Sequence, residues 1–218
     1  MTRQTDQMPT KERIIETAGE IFGDQGFKAA TIRSIAEAAQ VNVAAINYHF
    51  GDKERLYHTV LEDIFDRGFE TFPSVTPLSP GQDPEKQLQR FIRDMFSRLS
   101  SQEGLGVGTT GKGRLIAREF LDPTQAFEEI VETYIKPHRD VLLSILAGIC
   151  GTEADDPRLK PCAVSILGQC VYFSFAAPLI KKLMPECVLT PENLEELAHG
   201  VYLFSLGGIK QLAGRADE

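Results

Sequence analysis

The chain has 218 residues, of which 42% are hydrophobic and 25% are charged. This composition is ordinary for one large globular domain or two small ones, and it excludes collagen-like, low-complexity and disordered chains. The 23 basic and 31 acidic side chains give a formal net charge of −8, which excludes a uniformly basic nucleic-acid coat. Residues 1–60 hold 7 basic and 8 acidic side chains (net −1), and the remainder holds 16 and 23 (net −7).

Apolar residues recur at helical spacing along almost the whole chain, and no run alternates with a period of two. The predicted fold class is therefore all-α. Thr10 is expected to cap a first helix that ends at Gly26 in a left-handed conformation, and Thr31 is expected to cap a second. The inward-facing residues are expected to be Ile14, Ala18, Ile21 and Phe22 in the first helix, and Ile32, Ile35, Ala36 and Ala39 in the second.

A third helix of about two turns is expected to begin after Asn42, and a long fourth helix is expected to begin at Lys53 after Asp52. Val43, Ile46 and Phe50 have the i, i+3, i+7 spacing of an inward face. The boundary between two domains is expected inside or near the fourth helix. We place the domains at residues 10–56 and 57–218.

Pro and Gly residues dominate the segment from Phe72 to Gly81, which predicts a loop. Five further helix starts are expected, after Asp83-Pro84, the Gly-rich segment 104–113, Asp122-Pro123, Asp156-Pro157 and Thr190-Pro191. Asp122 and Gln125 have the spacing of a capping box. The last two helices are expected to span about 157–183 and 191–214.

The outward face of the third helix is small and polar, which suits a DNA major groove. The candidates for contacts with bases are Ala44, Ala45, Asn47 and Tyr48, since an amide pairs with adenine and methyl groups suit thymine. The candidates for contacts with phosphates are Thr31, Arg33, Tyr48, His49 and Lys53. The local pattern equally allows a small helical core with an exposed Tyr-His pair.

The run TIRSIAEAAQVNVAAINYHFGDKERLY at residues 31–57 resembles the DNA-binding domain of the TetR family of transcriptional regulators. Gln40 departs from the family pattern, because it stands where the family usually has a glycine in the turn. Asn42 stands where serine or threonine is frequent and retains the capping function. More weakly, the segment 115–124 with Pro137 is similar to the ligand-sensing half of CecR-type members.

The resemblance implies a homodimeric repressor that binds a roughly palindromic double-stranded operator and responds to a small effector in its C-terminal domain. The two reading helices would enter successive major grooves about 34–36 Å apart. The last two helices would pack against their mates, and small residues in them would allow close contact. These residues are Gly168, Ala176, Ala177, Gly200, Gly207 and Gly208, for which ordinary internal packing is the alternative.

The expected effector pocket is formed by apolar and aromatic residues of the middle helices. The candidates are Phe91, Met95, Leu99, Arg118, Phe120, Phe127, Tyr134, Tyr172 and Phe173. Arg118 is expected either to orient a polar ligand or, more readily, to pair with a carboxylate. The four cysteines are expected to be buried thiols.

Two other classes of protein compete with the regulator. Gly106 to Gly113 approaches a phosphate-binding P-loop, which would make the chain a nucleotide-dependent helical enzyme using Lys112, but no apolar strand precedes it. Residues 161–180 carry no formal charge and could anchor a membrane protein, but only 14 of the 20 are apolar. Neither Glu196 with His199 nor His58 with Glu62 completes a metal-ligand set. We therefore expect a cytoplasmic protein that is not an enzyme and has no cofactor, metal or membrane partner.

Overall fold

The computed structural model describes residues 8–73, 79, 81–102, 104–107 and 110–214, and these residues form an all-helical structure. The predicted loop before residue 83 and the Gly-rich segment therefore lie partly outside the described residues. The α-helices are α1 (Thr10–Ala29), α2 (Ile32–Ala38), α3 (Val43–Phe50), α4 (Lys53–Thr71), α5 (Pro84–Ser100), α6 (Gly111–Leu121), α7 (Gln125–Ile130), α8 (Lys136–Cys150), α9 (Leu159–Phe175), α10 (Ala177–Leu183) and α11 (Leu194–Gly214). A π-helical turn at Val131–Ile135 joins α7 to α8, and a 3-10 turn at Pro185–Cys187 follows α10.

Side-chain caps begin several helices at the positions that the sequence predicts. The Asn42 side chain accepts a hydrogen bond from the backbone N–H three residues later at 2.7 Å. Asp52 does the same at 2.8 Å, and Asp83 accepts from the N–H two residues later at 3.0 Å. The Thr31 hydroxyl accepts from the N–H of Ser34 at 3.0 Å in a reciprocal capping box. These contacts satisfy backbone donors that the first helical turn leaves without partners.

Two helices begin later than predicted, α9 at Leu159 rather than directly after Asp156-Pro157 and α11 at Leu194 rather than directly after Thr190-Pro191. Two predicted caps are also wrong. Thr10 is the first residue of α1, which begins after Pro9 without a side-chain cap. Asp122 ends α6, and α7 begins only at Gln125, after Thr124. The Thr124 backbone N–H donates instead to the carboxylate of Glu119 at 3.0 Å, so a partner from the preceding helix replaces the local capping box.

The helix expected at 157–183 is divided into α9 and α10, which is a further correction. The axes of α9 and α10 differ by 77° across Ala176. Pro178 lies in the first turn of α10, where its missing N–H cannot continue the hydrogen-bond ladder of α9. Among the described residues, no single helix is long and apolar enough to cross a membrane. The pair α9 and α10 meets that test only when its two bent halves are taken together.

The first four helices enclose a small core in which Phe22, Ile35, Ile46 and Leu56 are fully buried. Val43 does not contribute to this core as predicted, because it is 40% exposed. It is the first residue of α3, one turn before the buried Ile46. The other inward residues of α1 and α2 are buried or half-buried as expected.

Helix α4 continues from this core into a second one, where it meets α5 and α7, and α5, α8, α9 and α11 pack on one another. The most extensive helix pair joins the two halves, because α1 packs along α6. The pair is close enough that a Cβ on Gly23 would lie 1.8 Å from the carbonyl oxygen of Gly111. Only glycine allows this approach. The described part of the Gly-rich segment therefore serves helix packing.

Candidate nucleic-acid interface and ligand cavity

Helix α3 has one polar face that is exposed to solvent and an opposite apolar face that is buried. Ile46 is fully buried and Phe50 is 6% exposed, whereas Tyr48 is 85% exposed. Ala44, Asn47 and His49 are also exposed, and Ala45 is half-buried. The two-turn helix is too short to be stable alone in water, so the packing of its underside holds the outward side chains in place. The four residues expected to contact bases therefore lie together on one accessible helix.

The turn before α3 has a positive φ at Gln40, the position where the family usually has glycine. Gln40 has φ of 54°, and it is the one residue other than glycine with a positive φ in the described part of the chain. A left-handed conformation costs an L-residue about 1–2 kcal/mol, a cost that glycine does not incur. Gln40 therefore adopts a backbone conformation that is favourable for glycine and strained for glutamine.

The side chains expected to contact phosphates surround α3. Thr31 and Arg33, at the start of α2, and His49, in α3, are exposed. Lys53 is only half-buried and already has protein partners, since its Nζ donates to the carbonyls of Phe27 at 3.0 Å and Ala30 at 3.2 Å. Its ammonium also lies 4.4 Å from the centre of the Phe27 ring. Lys53 thus provides hydrogen-bond donors to backbone carbonyls at the end of α1, in addition to any contact with phosphate.

A cavity of about 130 Å³ lies inside the second half of the molecule, with an almost wholly apolar lining. Four of the nine predicted pocket residues line it, namely Met95, Leu99, Phe120 and Tyr134. The other lining residues are Phe65, Phe69, Arg98, Leu105, Ile116, Ile135, His138, Arg139, Leu167, Val171 and Phe175. They come from α4, α5, α6, α8 and α9, from the π-helical turn and, for Leu105, from the segment between α5 and α6. The cavity thus lies where most of the middle helices meet.

The other predicted pocket residues lie elsewhere. Phe91 is buried in the core, Phe127 packs edge-on against Phe120, and Phe173 packs against Phe96. Tyr172 is half-exposed. Aromatic residues at helical spacing thus occur both in the core and at the cavity, and periodicity cannot distinguish the two.

Arg118 is a structural residue, but its partners are not carboxylates. Its Nε donates to the carbonyl of Gly23 and its Nη2 to the carbonyl of Asp24, both at 3.1 Å. These carbonyls belong to the last turns of α1, where helical carbonyls lack intrahelical partners. The guanidinium therefore fastens α6 to the end of α1.

Three polar side chains that the sequence analysis missed, Arg98, His138 and Arg139, line the cavity. Arg98 is 2% exposed, and its guanidinium donates to the carbonyl of Phe72 at 2.6 Å and lies 4.2 Å from the centre of the Phe69 ring. Burial lowers its pKa to about 10. Burial, with a smaller effect of the Arg98 charge, lowers the pKa of His138 to about 4. The signal in the sequence that could have identified His138 is its spacing of four residues from Tyr134, which places both side chains on one otherwise apolar helix face.

Helix α6 connects the cavity to the first half of the molecule. Ile116 and Phe120 line the cavity, whereas Arg118 holds the end of α1. Glu119, between them, is buried and accepts a hydrogen bond from the hydroxyl of Tyr57 in α4. Helix α6 is therefore bonded to α1 and α4, which pack against α2 and α3 respectively.

The other motifs have structural partners. Lys112 forms an ion pair with Glu16 of α1 rather than lying in a phosphate cradle. His58 Nδ1 lies 3.3 Å from a carboxylate oxygen of Glu62, and its Nε2 lies 2.9 Å from a carboxylate oxygen of Glu129 in α7. The nearest donor atoms of these three side chains lie within 4.8 Å of one another. The prediction of four buried thiols holds only for Cys170, because Cys150, Cys162 and Cys187 are half-buried. Desolvation still raises the pKa of the Cys150, Cys162 and Cys170 thiols, which opposes thiolate formation.

Comparisons with known proteins agree with this architecture. Residues 14–60 match the family model of bacterial regulatory proteins of the tetR family. Residues 84–209 match the C-terminal domain of the HTH-type transcriptional dual regulator CecR. CecR of Shigella flexneri is 30% identical over 172 residues, which cover 75% of this chain and 74% of that protein.

Solved structures of regulators share the fold at low identity. The fatty acid degradation regulator FadR from Bacillus halodurans has a TM-score of 0.62 at 18% identity and covers 92% of this chain and 96% of its own. AibR in complex with isovaleryl coenzyme A and operator DNA has a TM-score of 0.60 at 19% identity, with 89% and 96% covered. With a family model that matches more than half of the chain, the protein belongs to the TetR family of DNA-binding transcriptional regulators, with a C-terminal domain of the CecR type.

Proposed function

We propose that the protein is a homodimeric transcriptional repressor in the cytoplasm that binds a roughly palindromic operator through α3 and is released by a small-molecule effector. The observation that carries the proposal is the exposed polar surface of α3 above a fully buried underside. In this proposal Ala44, Ala45, Asn47 and Tyr48 contact bases. Thr31, Arg33, Tyr48, His49 and Lys53 contact phosphates. The division of labour follows from their positions on α3 and around it.

An exposed apolar face on α9 and α11 supports the homodimer. Phe204 is 76% exposed, and Val164, Tyr172 and Leu203 are at least half-exposed. A Cβ added at Gly168, Gly200, Gly207 or Gly208 would meet no neighbouring atom within 4 Å. Internal packing thus does not explain these glycines, and a second copy of the chain would cover the face that they share.

The cavity supports the response to an effector. Its lining includes Ile116 and Phe120 of α6, and α6 is bonded to α1 and α4 through Arg118 and Glu119. We place the effector in this cavity, with Met95, Leu99, Phe120 and Tyr134 in contact with it. Ligand binding would favour a conformer in which the two copies of α3 no longer fit the groove spacing, and operator affinity would fall by linkage. AibR, whose fold is similar, forms a complex with isovaleryl coenzyme A, which is a precedent for an organic ligand on this fold.

The decisive experiment selects bound sequences from a random DNA pool with the purified full chain. We expect an enriched, roughly two-fold symmetric sequence whose affinity exceeds that for random duplex and falls with salt. Equal affinity for all duplexes would refute sequence-specific repression. A functional readout follows from a promoter that carries the selected sequence, whose transcription in vitro should fall when the protein is added.

Two substitutions then separate base contacts from phosphate contacts. Asn47→Ala should relax the base preference at one position of the site, whereas Arg33→Ala should weaken binding to all sequences and reduce the salt slope by about 1. Arg33 is the better choice for the second role, because Lys53 also stabilises the fold through Phe27 and Ala30. If both substitutions weaken every sequence equally, the assignment of Asn47 to a base is wrong.

A further inference from the structure

The polar chemistry of the cavity is set by the tautomer of His138. Its Nδ1 lies 2.8 Å from the carbonyl oxygen of Tyr134. A carbonyl only accepts hydrogen bonds, so the proton of the neutral ring must be on Nδ1. Nε2 then carries a lone pair and can only accept. The pKa of about 4, lowered first by burial, keeps the ring neutral near pH 7.

This acceptor has no donor in the described part of the protein. The Nε2 atom of His138 is buried and lacks a hydrogen-bond partner there. A buried polar atom without a hydrogen-bond partner lowers the stability of the folded state, and such atoms are rare in native proteins. The ring lines the cavity, so a ligand in the cavity is placed to supply the missing donor.

The size and walls of the cavity limit what the ligand can be. A dry apolar cavity of about 150 Å³ is enough to hold benzene. The volume of about 130 Å³ here therefore suits a single ring. The walls include the rings of Phe65, Phe69, Phe120, Tyr134 and Phe175, which favour an aromatic guest through edge and offset contacts.

The π-helical turn at Val131–Ile135 forms part of this wall and contributes Tyr134 and Ile135. Such turns are rare and occur often at functional sites. The turn directly precedes α8, which contains His138. The carbonyl of Tyr134, in the turn, accepts the hydrogen bond that orients the His138 ring. The irregular backbone and the oriented acceptor thus occur at the same place.

We propose that the cavity binds a small uncharged phenol, whose hydroxyl donates a hydrogen bond to Nε2 of His138 while its ring packs among the aromatic walls. The role of this phenol as an effector rests on the proposed function, but its binding does not. A charged carboxylate is disfavoured, because the lone pair of Nε2 would repel it. The two arginines of the lining already have partners, since Arg98 donates to the carbonyl of Phe72 and Arg139 donates to the carboxylate of Asp140.

The test compares phenol with toluene, which has the same size but carries a methyl group in place of the hydroxyl. Binding to the full chain without DNA is measured by saturation-transfer NMR titration and calorimetry. We expect phenol to bind about 3- to 10-fold more tightly than toluene, which corresponds to one neutral hydrogen bond. Benzoate serves as the anionic probe and is expected to bind more weakly than either.

Two variants assign the effect. In His138→Phe the preference for phenol over toluene should disappear, since the acceptor is removed and the ring shape is kept. In Leu167→Phe the cavity should be filled, and both probes should lose binding. If His138→Phe does not fold, the ranking of the three probes on the unmodified chain and the loss in Leu167→Phe still decide the matter.

Several outcomes would overturn the proposal. They are equal or tighter binding of toluene, preferred binding of benzoate, a preference for phenol that survives in His138→Phe, and no binding of any probe. The failure of the proposed function would look different, because it would leave phenol bound to the protein but without effect on DNA. Conversely, release from the operator by some other compound, with no phenol binding, would reject only this inference.

Discussion

The hydroxyl of Tyr57 donates a hydrogen bond to the carboxylate of Glu119, and both side chains are buried. This contact joins α4, which continues from the first core into the second, to α6. The second carboxylate oxygen of Glu119 accepts from the backbone N–H and the hydroxyl of Thr124, each at 3.0 Å. Burial, followed by the hydrogen bond to Glu119, raises the pKa of Tyr57 well above its ordinary value. Tyr57 therefore remains a donor over the whole physiological range.

The first prediction concerns this bond. Tyr57→Phe should lower the free energy of unfolding by about 1–3 kcal/mol, because a buried carboxylate oxygen loses its donor. Urea denaturation followed by circular dichroism measures the change. The matched control is Tyr48→Phe, since the hydroxyl of that tyrosine is on an 85% exposed side chain and should contribute less than about 0.5 kcal/mol. Equal stabilities of the two variants would contradict the structural role of the buried bond.

The second prediction tests backbone strain in the turn between α2 and α3. Gln40→Gly should raise the free energy of unfolding by about 0.5–1 kcal/mol, because glycine adopts φ of 54° without a steric penalty. Ala38→Gly, two residues earlier in helical backbone, should instead destabilise by about 1 kcal/mol. Thermal unfolding of both variants gives the comparison. Destabilisation by Gln40→Gly would mean that the glutamine side chain contributes more than its strain costs.

The third prediction separates two lysines near the end of α1. Lys53→Ala should lower the free energy of unfolding by about 1–2 kcal/mol even without DNA, since the carbonyls of Phe27 and Ala30 lose a charged donor. Lys28→Ala should change it by less than about 0.5 kcal/mol, because that exposed side chain forms a long, solvated ion pair with Asp122 at 4.0 Å. If both lysines are neutral for stability, the contacts of Lys53 are not formed in solution.

Local chemistry explains which parts of the fold were predictable from sequence. Asn42, Asp52 and Asp83 cap their helices through backbone groups two or three residues away, so sequence spacing contains all the necessary information. The predicted cap at Asp122 failed because Thr124 bonds Glu119 of the preceding helix. The partners of side chains that reach across the tertiary structure are not encoded in the local pattern.

The candidate sites follow the same division. The exposed face of α3 was predictable, because burial of Ile46 and Phe50 determines which side of a short helix is free. The cavity was only partly predictable, because some aromatic residues at helical spacing line the cavity and others with the same spacing pack in the core. Phe120 borders the cavity, whereas Phe91 does not, and only the arrangement of all the helices distinguishes them.

The fourth prediction is a pH dependence that arises from His138. Its pKa is about 4 in the folded protein and near 6.5 in an unfolded chain, so the unfolded state binds more protons between these values. Stability should therefore fall as the pH is lowered from about 6.5 towards 4. His138→Phe should flatten this slope between pH 7 and pH 5, above the range in which most carboxylates titrate. His49→Ala retains the buried ring and should keep the slope of the unmodified chain.

The fifth prediction concerns the face on α9 and α11. Phe204→Asp should weaken self-association by about 30-fold or more, because it places a charge where the proposed dimer would bury an aromatic anchor. Sedimentation velocity over a range of concentrations measures the change. Leu121→Asp is the matched control, since Leu121 is 84% exposed at the end of α6, away from this face. Dissociation by both variants, or by neither, would contradict a dimer through α9 and α11. Because two copies of α3 must lie on one operator, the Phe204 variant should also lose cooperative binding to the full site while retaining weak binding to a half-site.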